Sequence, residues 1–374
     1  MLKTANQKVF IDDYACRTAF GTQGETLQSL LRNEIALRPV DVLGRETPQE
    51  RVPLALTSDM QDTLPVRWWA ELQTLLESVP GDLPWGTLDY PVIVTSSNFG
   101  IDSLYYYTQQ SEQTKAPELL QQSIAHQSVD KIAQSQSWGK NVCIFSHACV
   151  SAHLGLYHAA QLLHNHQARK VLLVSYDYLS PFVTGGFHAL KILNEFFPAP
   201  YQLRETGAIG LGDGAAWMVL SREPSAFCVE HQLLYNEMYH FTSNEPQGSG
   251  FAAIAQGLKA VIQDRRIWIK GHGTGTLEAG KLEAEQFGRC FPDSPLVSWK
   301  GSIGHTLGSC ALIELVIACE AIRAGTCPGT VGSSGPCYSD QVATESFSNA
   351  SCQGAIIASN AFGGAHAALF LSHD

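Results

Sequence analysis

Cys149, His272 and His305 are the residues of this sequence whose surroundings are hardest to explain by packing alone. Cys149 lies between an apolar β-type run, NVCIFSHA, and a helical stretch, VSAHLGLYHAAQLL. A sulfur at a strand–helix junction faces the positive end of the helix dipole and free N–H groups, which favour the thiolate. An unperturbed thiol, with a pKa of about 8.5, is mostly protonated at neutral pH, so a downward shift would matter. Ser146, Ala148, Ser151 and Ala152 keep the turn uncrowded. A buried structural cysteine would fit the same position.

His272 sits in GHGTGT, directly after the β-type run RIWIK. Glycines on both sides permit a tight turn and a close approach of ligand to backbone. His305 sits in KGSIGHTLGSCA, where a helix is expected to begin at the histidine. The helix dipole disfavours protonation there, so the imidazole should be neutral and able to donate one N–H to a developing oxyanion. Lys300 lies five residues upstream, at a strand end where an ordinary surface lysine would also fit. The three candidates are far apart in the chain, so only the fold can unite them.

The elements that must position them alternate in type. Strand-like runs cover Val9 to Tyr14, Pro91 to Thr95, Asn141 to Phe145, Lys170 to Tyr176, Ala215 to Leu220, Arg266 to Lys270, Leu296 to Trp299, Gly354 to Ser359 and Ala367 to Ser372. Helical stretches start at Thr26 and run over about 150–166, 278–289 and 305–324. Apolar strands alternating with helices predict an α/β fold with sheets buried on both faces. The polar, Gln-rich segments at about 50–90 and 101–140 read as surface insertions or loops.

Composition narrows the function. The net charge is -11, which disfavours a general nucleic-acid role because phosphate contacts need clustered Lys and Arg. No apolar run reaches the roughly 18 residues of a membrane helix. The start, MLKTANQKVFIDDYAC, lacks the long apolar stretch of a signal peptide. The ten cysteines contain no CxxC pair and read as reduced thiols of a cytoplasmic enzyme. Charged residues make up 16% of the chain, against about 25% in typical domains, which predicts a large core and an oligomer interface.

Taken together, the motifs resemble those of the elongating, decarboxylating β-ketoacyl synthases of the thiolase superfamily. They comprise HACVSAHLGL around Cys149, HGTGTLEAGKLE ending at Glu283, KGSIGH with Glu314 nine residues after its histidine, and NAFGGAHAAL with Phe362. The stretch APYQLRETGAIGLGDGAAWMVL is also family-like. The match runs in order over most of the chain and is weakest over 50–140.

This resemblance implies a thiolase-like fold, two similar halves in a five-layered αβαβα arrangement, with residues 1–222 holding Cys149 and 223–374 holding His272 and His305. It implies that acyl carrier protein delivers an acyl group to Cys149. Malonyl on a second carrier protein then loses carbon dioxide, and the enolate attacks the acyl thioester. His272 and His305 would donate to the malonyl thioester oxygen. The backbone N–H groups of Cys149 and Phe362 would hold the acyl oxyanion. Lys300 and Glu314 resemble an ordering ion pair, Glu283 a supporting carboxylate, and Phe362 an acyl-chain gate. No cofactor or metal is implied. Fatty acid, polyketide and aryl polyene synthesis are the pathways such an enzyme serves, as a homodimer or as a heterodimer with a related subunit.

Several positions depart from the family pattern. Gly280 stands where an Asp is usual, Ser309-Cys310-Ala311 replaces a small Ala-Ala-Gly run, Asn360 replaces the first Phe of the C-terminal loop, and His366 stands where Asn is usual. The alternative is a chain-length-factor-like subunit with little condensing activity, against which the retained Cys149, His272 and His305 argue. A thiolase or a coenzyme A-using initiating synthase would carry a different catalytic set. The glycines of 207–214 resemble a dinucleotide loop only weakly, and His147, Cys149 and His153 lack the spacing of a metal site. Arg265, Arg266 and Lys270 form the one basic cluster considered for carrier-protein docking, although a solvated strand edge explains it more simply.

Overall fold

The computed structural model describes residues 3–5, 8–45, 49–58, 60 and 64–373. Ten strands form the main path of one mixed sheet system. In chain order they are β1 (Val9–Thr18), β2 (Val92–Thr95), β3 (Val142–Phe145), β4 (Lys170–Asp177), β5 (Gly214–Ser221), β6 (Phe227–Asn236), β7 (Trp268–Lys270), β8 (Leu296–Val297), β9 (Gly354–Ala361) and β10 (Ala365–His373). Their spatial order is β8-β7-β9-β10-β6-β1-β5-β4-β2-β3.

That order contains the same pattern twice. In each run of five, the second strand pairs in parallel with the third and fourth, and the fourth, fifth and first pair antiparallel. The runs meet where β1 and β6 pair antiparallel, through Phe227 and Ile11 to Val229 and Val9.

Strand side chains alternate between faces, so each sheet needs cover on both sides. Val171 and Leu173 of β4 face one core cluster, and Leu172 and Val174 face another. In the second half Ala355 and Ile357 of β9 face the first cluster, and Ile356 and Ala358 face a third. The shared cluster is the middle layer. It contains Leu27 and Leu30 of α1 (Gln23–Leu31), and its centre is made by two later helices.

The outer layer of the first half is α2 (Leu64–Leu76) and α3 (Ala125–Ser135), which bury Trp68, Leu72, Leu75 and Leu76, and Val129 and Ile132. The central helices are α4 (Ser151–His164) and, near the end of the chain, a helix whose burial is almost complete. The outer layer of the second half is α5 (Ser249–Ile262) and α6 (Leu277–Cys290), with Ile254, Leu258, Ala284 and Phe287 buried. The second central helix is α7 (Cys310–Arg323). The arrangement is the expected α/β thiolase-like one, with helix layers outside and between two sheet regions.

Four expectations change. The segments 50–90 and 101–140 are not insertions. They supply α2, α3, an added strand (Arg51–Ala55) and two short helices, Asp102–Gln109 and Pro117–Gln122. Residues 59 and 61–63 of the first segment lie outside the described ones. The run at Asn141 to Phe145 is not fully buried, because β3 is the last strand of the sheet path and is half-buried throughout. The helix expected from His305 begins at Cys310, and Lys300–Ile303 forms a separate short helix. Left-handed backbone at Gly304 (φ 72°) and Leu307 (φ 53°) separates the two. Finally, α1 starts earlier than Thr26, at Gln23, where Thr22 and Glu25 form a reciprocal capping box. Among the described residues no helix is long and apolar enough to cross a membrane.

Candidate active site

Cys149 and His272 sit just beyond the ends of β3 and β7, and His305 follows the short helix Lys300–Ile303 that comes after β8. Cys149 follows β3 through a tight turn in which Ala148 adopts φ 45°. Ser151 stabilises this turn: its Oγ accepts from His147 N at 2.8 Å and donates to Ala148 O at 2.7 Å. His272 follows β7 by two residues, inside the loop between Lys270 and α6. Both Glu283 carboxylate oxygens hold that loop, accepting His272 N–H at 2.6 Å and Gly273 N–H at 2.9 Å. The Tyr201 hydroxyl donates to Glu283 Oε2 at 2.7 Å. Ser298 Oγ donates to Gly273 O at 2.7 Å.

His305 is pinned by the glycine run considered above as a nucleotide loop. Its N–H donates to Gly210 O at 2.7 Å, and Gly212 N–H donates to His305 O at 3.1 Å. A Cβ on Gly212 would lie 2.0 Å from Ile303 O, so glycine is required for this close approach. These glycines position a histidine.

The fold brings the three residues together. His305 Nε2 lies 3.0 Å from Cys149 Sγ, and the imidazoles of His272 and His305 meet edge to face with centroids 4.9 Å apart. One ligand atom from each of the three residues lies within 4.8 Å of the others. All three line a cavity of about 280 Å³, shared with Phe187, Phe241 and Phe362. The Phe362 ring lies between Phe187 and Phe241, at centroid distances of 6.1 and 6.4 Å.

Electrostatics correct one expectation. Cys149 lies two residues before the first residue of α4, and burial pushes its thiol well up, with Cys310 adding to the rise and Lys300 opposing it. Desolvation outweighs the helix dipole. The sulfur's proton must therefore move to a neighbouring base when the thiolate forms, and His305 Nε2 is in reach. Burial holds both histidines well below the usual imidazole range, helped by the positive charge of Lys300. Both imidazoles are neutral, as expected for His305, but the cause is desolvation and nearby lysines.

Lys300 is fully buried and donates to Glu314 Oε1 at 2.6 Å. Sequence reasoning missed its twin. Lys270 is also fully buried, 2.8 Å from the same Glu314 oxygen, and donates to Gly271 O at 2.6 Å. Burial lowers Lys270 to about 8. For Lys300 the attraction of Glu314 overcomes burial and leaves it raised. Two lysines against one carboxylate put a net positive charge beneath the histidines. The sequence cluster of Arg265, Arg266 and Lys270, read above as a solvated strand edge, is split: Lys270 points inward, and Arg265 is paired with Glu230 at 2.7 Å. Tyr201 was also missed; its hydroxyl serves Glu283, and its ring lies 3.8 Å from where a Cβ on Gly280 would be. Cys310, one of the departures, donates its S–H to Cys149 O at 3.4 Å.

The chain is similar to several known proteins. Residues 227–334 match the model of the β-ketoacyl synthase C-terminal domain. A 3-oxoacyl-[acyl-carrier-protein] synthase 2 of Coxiella burnetii is 28% identical over 221 residues, covering 53% of each chain. The ketoacyl synthase alpha subunit of the tetracenomycin polyketide synthase of Streptomyces glaucescens is 29% identical over 215 residues, covering 50% of this chain and 49% of that one. The matched part thus spans about half the length of these curated relatives. The ishigamide ketosynthase/chain length factor superposes with a TM-score of 0.82 at 19% identity, covering 99% of this chain and 100% of that chain.

Proposed function

We propose that this chain, a thiolase-superfamily protein carrying the C-terminal domain of β-ketoacyl synthases, catalyses decarboxylative Claisen condensation of an acyl-enzyme thioester with a malonyl thioester. The observation that carries the reading is the 3.0 Å approach of His305 Nε2 to Cys149 Sγ, with His272 edge-on to His305 in the same cavity. Residues 1–222 and 223–374 are then the two thiolase-like halves, supplying nucleophile and histidines respectively.

In the first stage the Cys149 thiol passes its proton to His305 Nε2 as the sulfur attacks the acyl thioester carbonyl. The carbonyl π pair moves to oxygen, where the backbone N–H groups of Cys149 and Phe362 receive it. Its return expels the carrier thiol, which leaves with the proton. In the second stage the carbon–carboxylate bond of malonyl breaks, carbon dioxide leaves, and the electron pair becomes an enolate. Neutral His272 donates an N–H bond to the enolate oxygen, and His305 joins it in the tautomer whose proton sits on Nε2, a contribution of about 3 kcal/mol per donor. The carbanion then attacks the acyl carbon and Cys149 sulfur departs, giving a 3-oxoacyl thioester two carbons longer. Lys270, Lys300 and Glu314 hold a positive field below the histidines and keep them neutral. Phe362 gates the acyl chain.

The partners implied are acyl- and malonyl-loaded acyl carrier protein, and a second copy or a related ketosynthase-like subunit. The half-buried edge strand β3 supports such pairing, because an unpaired edge offers a row of N–H and C=O groups. A cytoplasmic location fits this reading, with fatty acid, polyketide or aryl polyene synthesis as its setting. The test is intact mass spectrometry after incubation with acyl- and malonyl-loaded carrier protein. An acyl adduct on Cys149 and a 3-oxoacyl product are expected. A Cys149→Ala protein that condenses as well as the parent would overturn the reading, and would return the chain to the chain-length-factor-like alternative.

A further inference from the structure

The departure at His366 has a partner in the structure. Its Nε2 lies 3.3 Å from Glu237 Oε2, and both side chains are only 2% exposed. The couple sits below the hairpin turn Phe362–Gly364 that joins β9 to β10. Two glycines make its space. A Cβ on Gly364 would lie 2.6 Å from Glu237 Cγ, and a Cβ on Gly250 would lie 2.1 Å from His366 Nε2 and 2.7 Å from Glu237 Oε2. The couple is thus wedged between the first turn of α5 and the turn itself.

The same stretch of chain holds the turn by its backbone. Glu237 N–H donates to Gly364 O at 2.9 Å, and Gly363 N–H donates to Phe241 O at 2.7 Å. Asn360 Nδ2 donates to Asn244 Oδ1 at 3.3 Å. Glu237 Oε1 in turn accepts Glu245 N–H at 3.0 Å, which folds 237–245 back on itself. Burial opposes ionisation of Glu237, yet His366 and the N–H groups of Glu245 and Gly250 hold its carboxyl below the usual range. Gly363 and Gly364 both have left-handed φ, 81° and 74°, so the turn depends on outside contacts for a single geometry.

We propose that the Glu237–His366 couple is the positioning element of the Phe362 turn. It clamps the segment carrying Phe241 to the segment carrying Phe362, and so fixes both the aromatic gate and the backbone N–H aimed at the acyl oxyanion. Neither residue lines the cavity. They act through the turn. This rests on the synthase reading above for its catalytic consequence, and on the geometry alone for the clamp.

The test therefore has two arms, run on the full chain with Glu237→Gln, His366→Phe and Gly364→Ala. Glu237→Gln keeps the side-chain volume and Gly364→Ala leaves the couple chemically intact, so loss of folding in one variant does not decide the matter. In the first arm, amide hydrogen exchange at 362–365 is expected to rise at least tenfold, with exchange in β7 and α7 unchanged. In the second, acyl loading of Cys149 is expected to slow about a hundredfold, the scale of a misplacement of about 1 Å. Carbon dioxide release from the malonyl thioester by enzyme already acylated on Cys149 should stay within about twofold in Glu237→Gln and Gly364→Ala, because neither change touches the catalytic histidines. The double variant Glu237→Gln/Gly364→Ala should be no slower than the worse single one, as for two changes to one element. Unchanged exchange at the turn, or loading and decarboxylation falling together, overturns the proposal. A parent protein that takes no acyl group overturns the synthase reading instead, while the exchange arm still decides the clamp.

Discussion

The two halves share a strand order but use it differently. The loop after β7 in the second half holds His272, which faces a cavity. At the corresponding place in the first half, the loop after β2 carries Ser96, Ser97 and Asn98, and these close on a carboxylate. Asp177, at the end of β4, accepts from Ser96 Oγ at 2.8 Å, from Ser97 N at 3.1 Å and from Asn98 N at 3.2 Å. The position matching Asp177 in the second half is the end of β9, from which the Phe362 turn begins. Both loops are thus tied to a carboxylate of the protein, Asp177 in one and Glu283 in the other, but only the second turns a side chain, His272, into a cavity. A duplicated fold need not hold duplicated sites.

The contrast is broken with the largest effect by removing the nucleophile. Cys149→Ala should reduce condensation by about 10⁴-fold or more, as loss of a nucleophile does elsewhere, with no acyl adduct by intact mass. Next, His272→Ala and His305→Ala should each slow malonyl decarboxylation by about 10²–10³-fold, followed as carbon dioxide release, while acyl loading should fall in His305→Ala, which loses the proton acceptor, and persist in His272→Ala. Loading lost equally in both variants would place His272 in thiol activation as well. Third, Glu314→Gln leaves Lys270 and Lys300 buried without their shared counterion. It should destabilise the fold by about 3–5 kcal/mol, read by urea denaturation, whereas the same change at exposed Glu112 should be near neutral.

The smallest effect concerns pH, where buried carboxyls and buried imidazoles oppose one another. Burial pushes Asp102 up to about 7 and Asp177 up to about 6. The folded state binds these protons more tightly than the unfolded chain, so their contribution is complete below about pH 4 and is lost as pH rises through 6 and 7. The lowered histidines work the other way. Their contribution is complete above about pH 6.5 and is lost progressively as pH falls below that value. Asp102→Asn should flatten the loss on the alkaline side without altering the acid side. A stability curve by thermal denaturation from pH 5 to pH 9 that keeps its alkaline slope in this variant would exclude Asp102 as its source.

The site residues were legible because chemistry at a strand end leaves a local signature, a histidine between glycines or a cysteine among small residues. Their supports were not. Lys270 reads as one basic residue of a solvated edge, since nothing local says that Glu314 lies 2.8 Å away. The break between Gly304 and Cys310 is imposed by bonds to Gly210 and Gly212, distant in sequence, so helix periodicity ran across it. The helices α2 and α3 were hidden by their exposed faces. Their buried stripes, Trp68, Leu72, Leu75 and Leu76 in α2 and Val129 and Ile132 in α3, follow a helical spacing that a polar, Gln-rich composition obscures.

The central layer has a consequence for how the molecule folds. α4 and α7 belong to different halves, yet they share one core cluster with strands of both, Leu173 and Met218 on one side and Ile357 and Leu369 on the other. Neither half can finish its interior alone. A chain cut between Ser221 and Phe227 would yield two fragments, each with a naked apolar face, that regain structure only on recombining. The boundary drawn by topology is therefore not a boundary of cooperativity, and unfolding should proceed as a single transition across both halves.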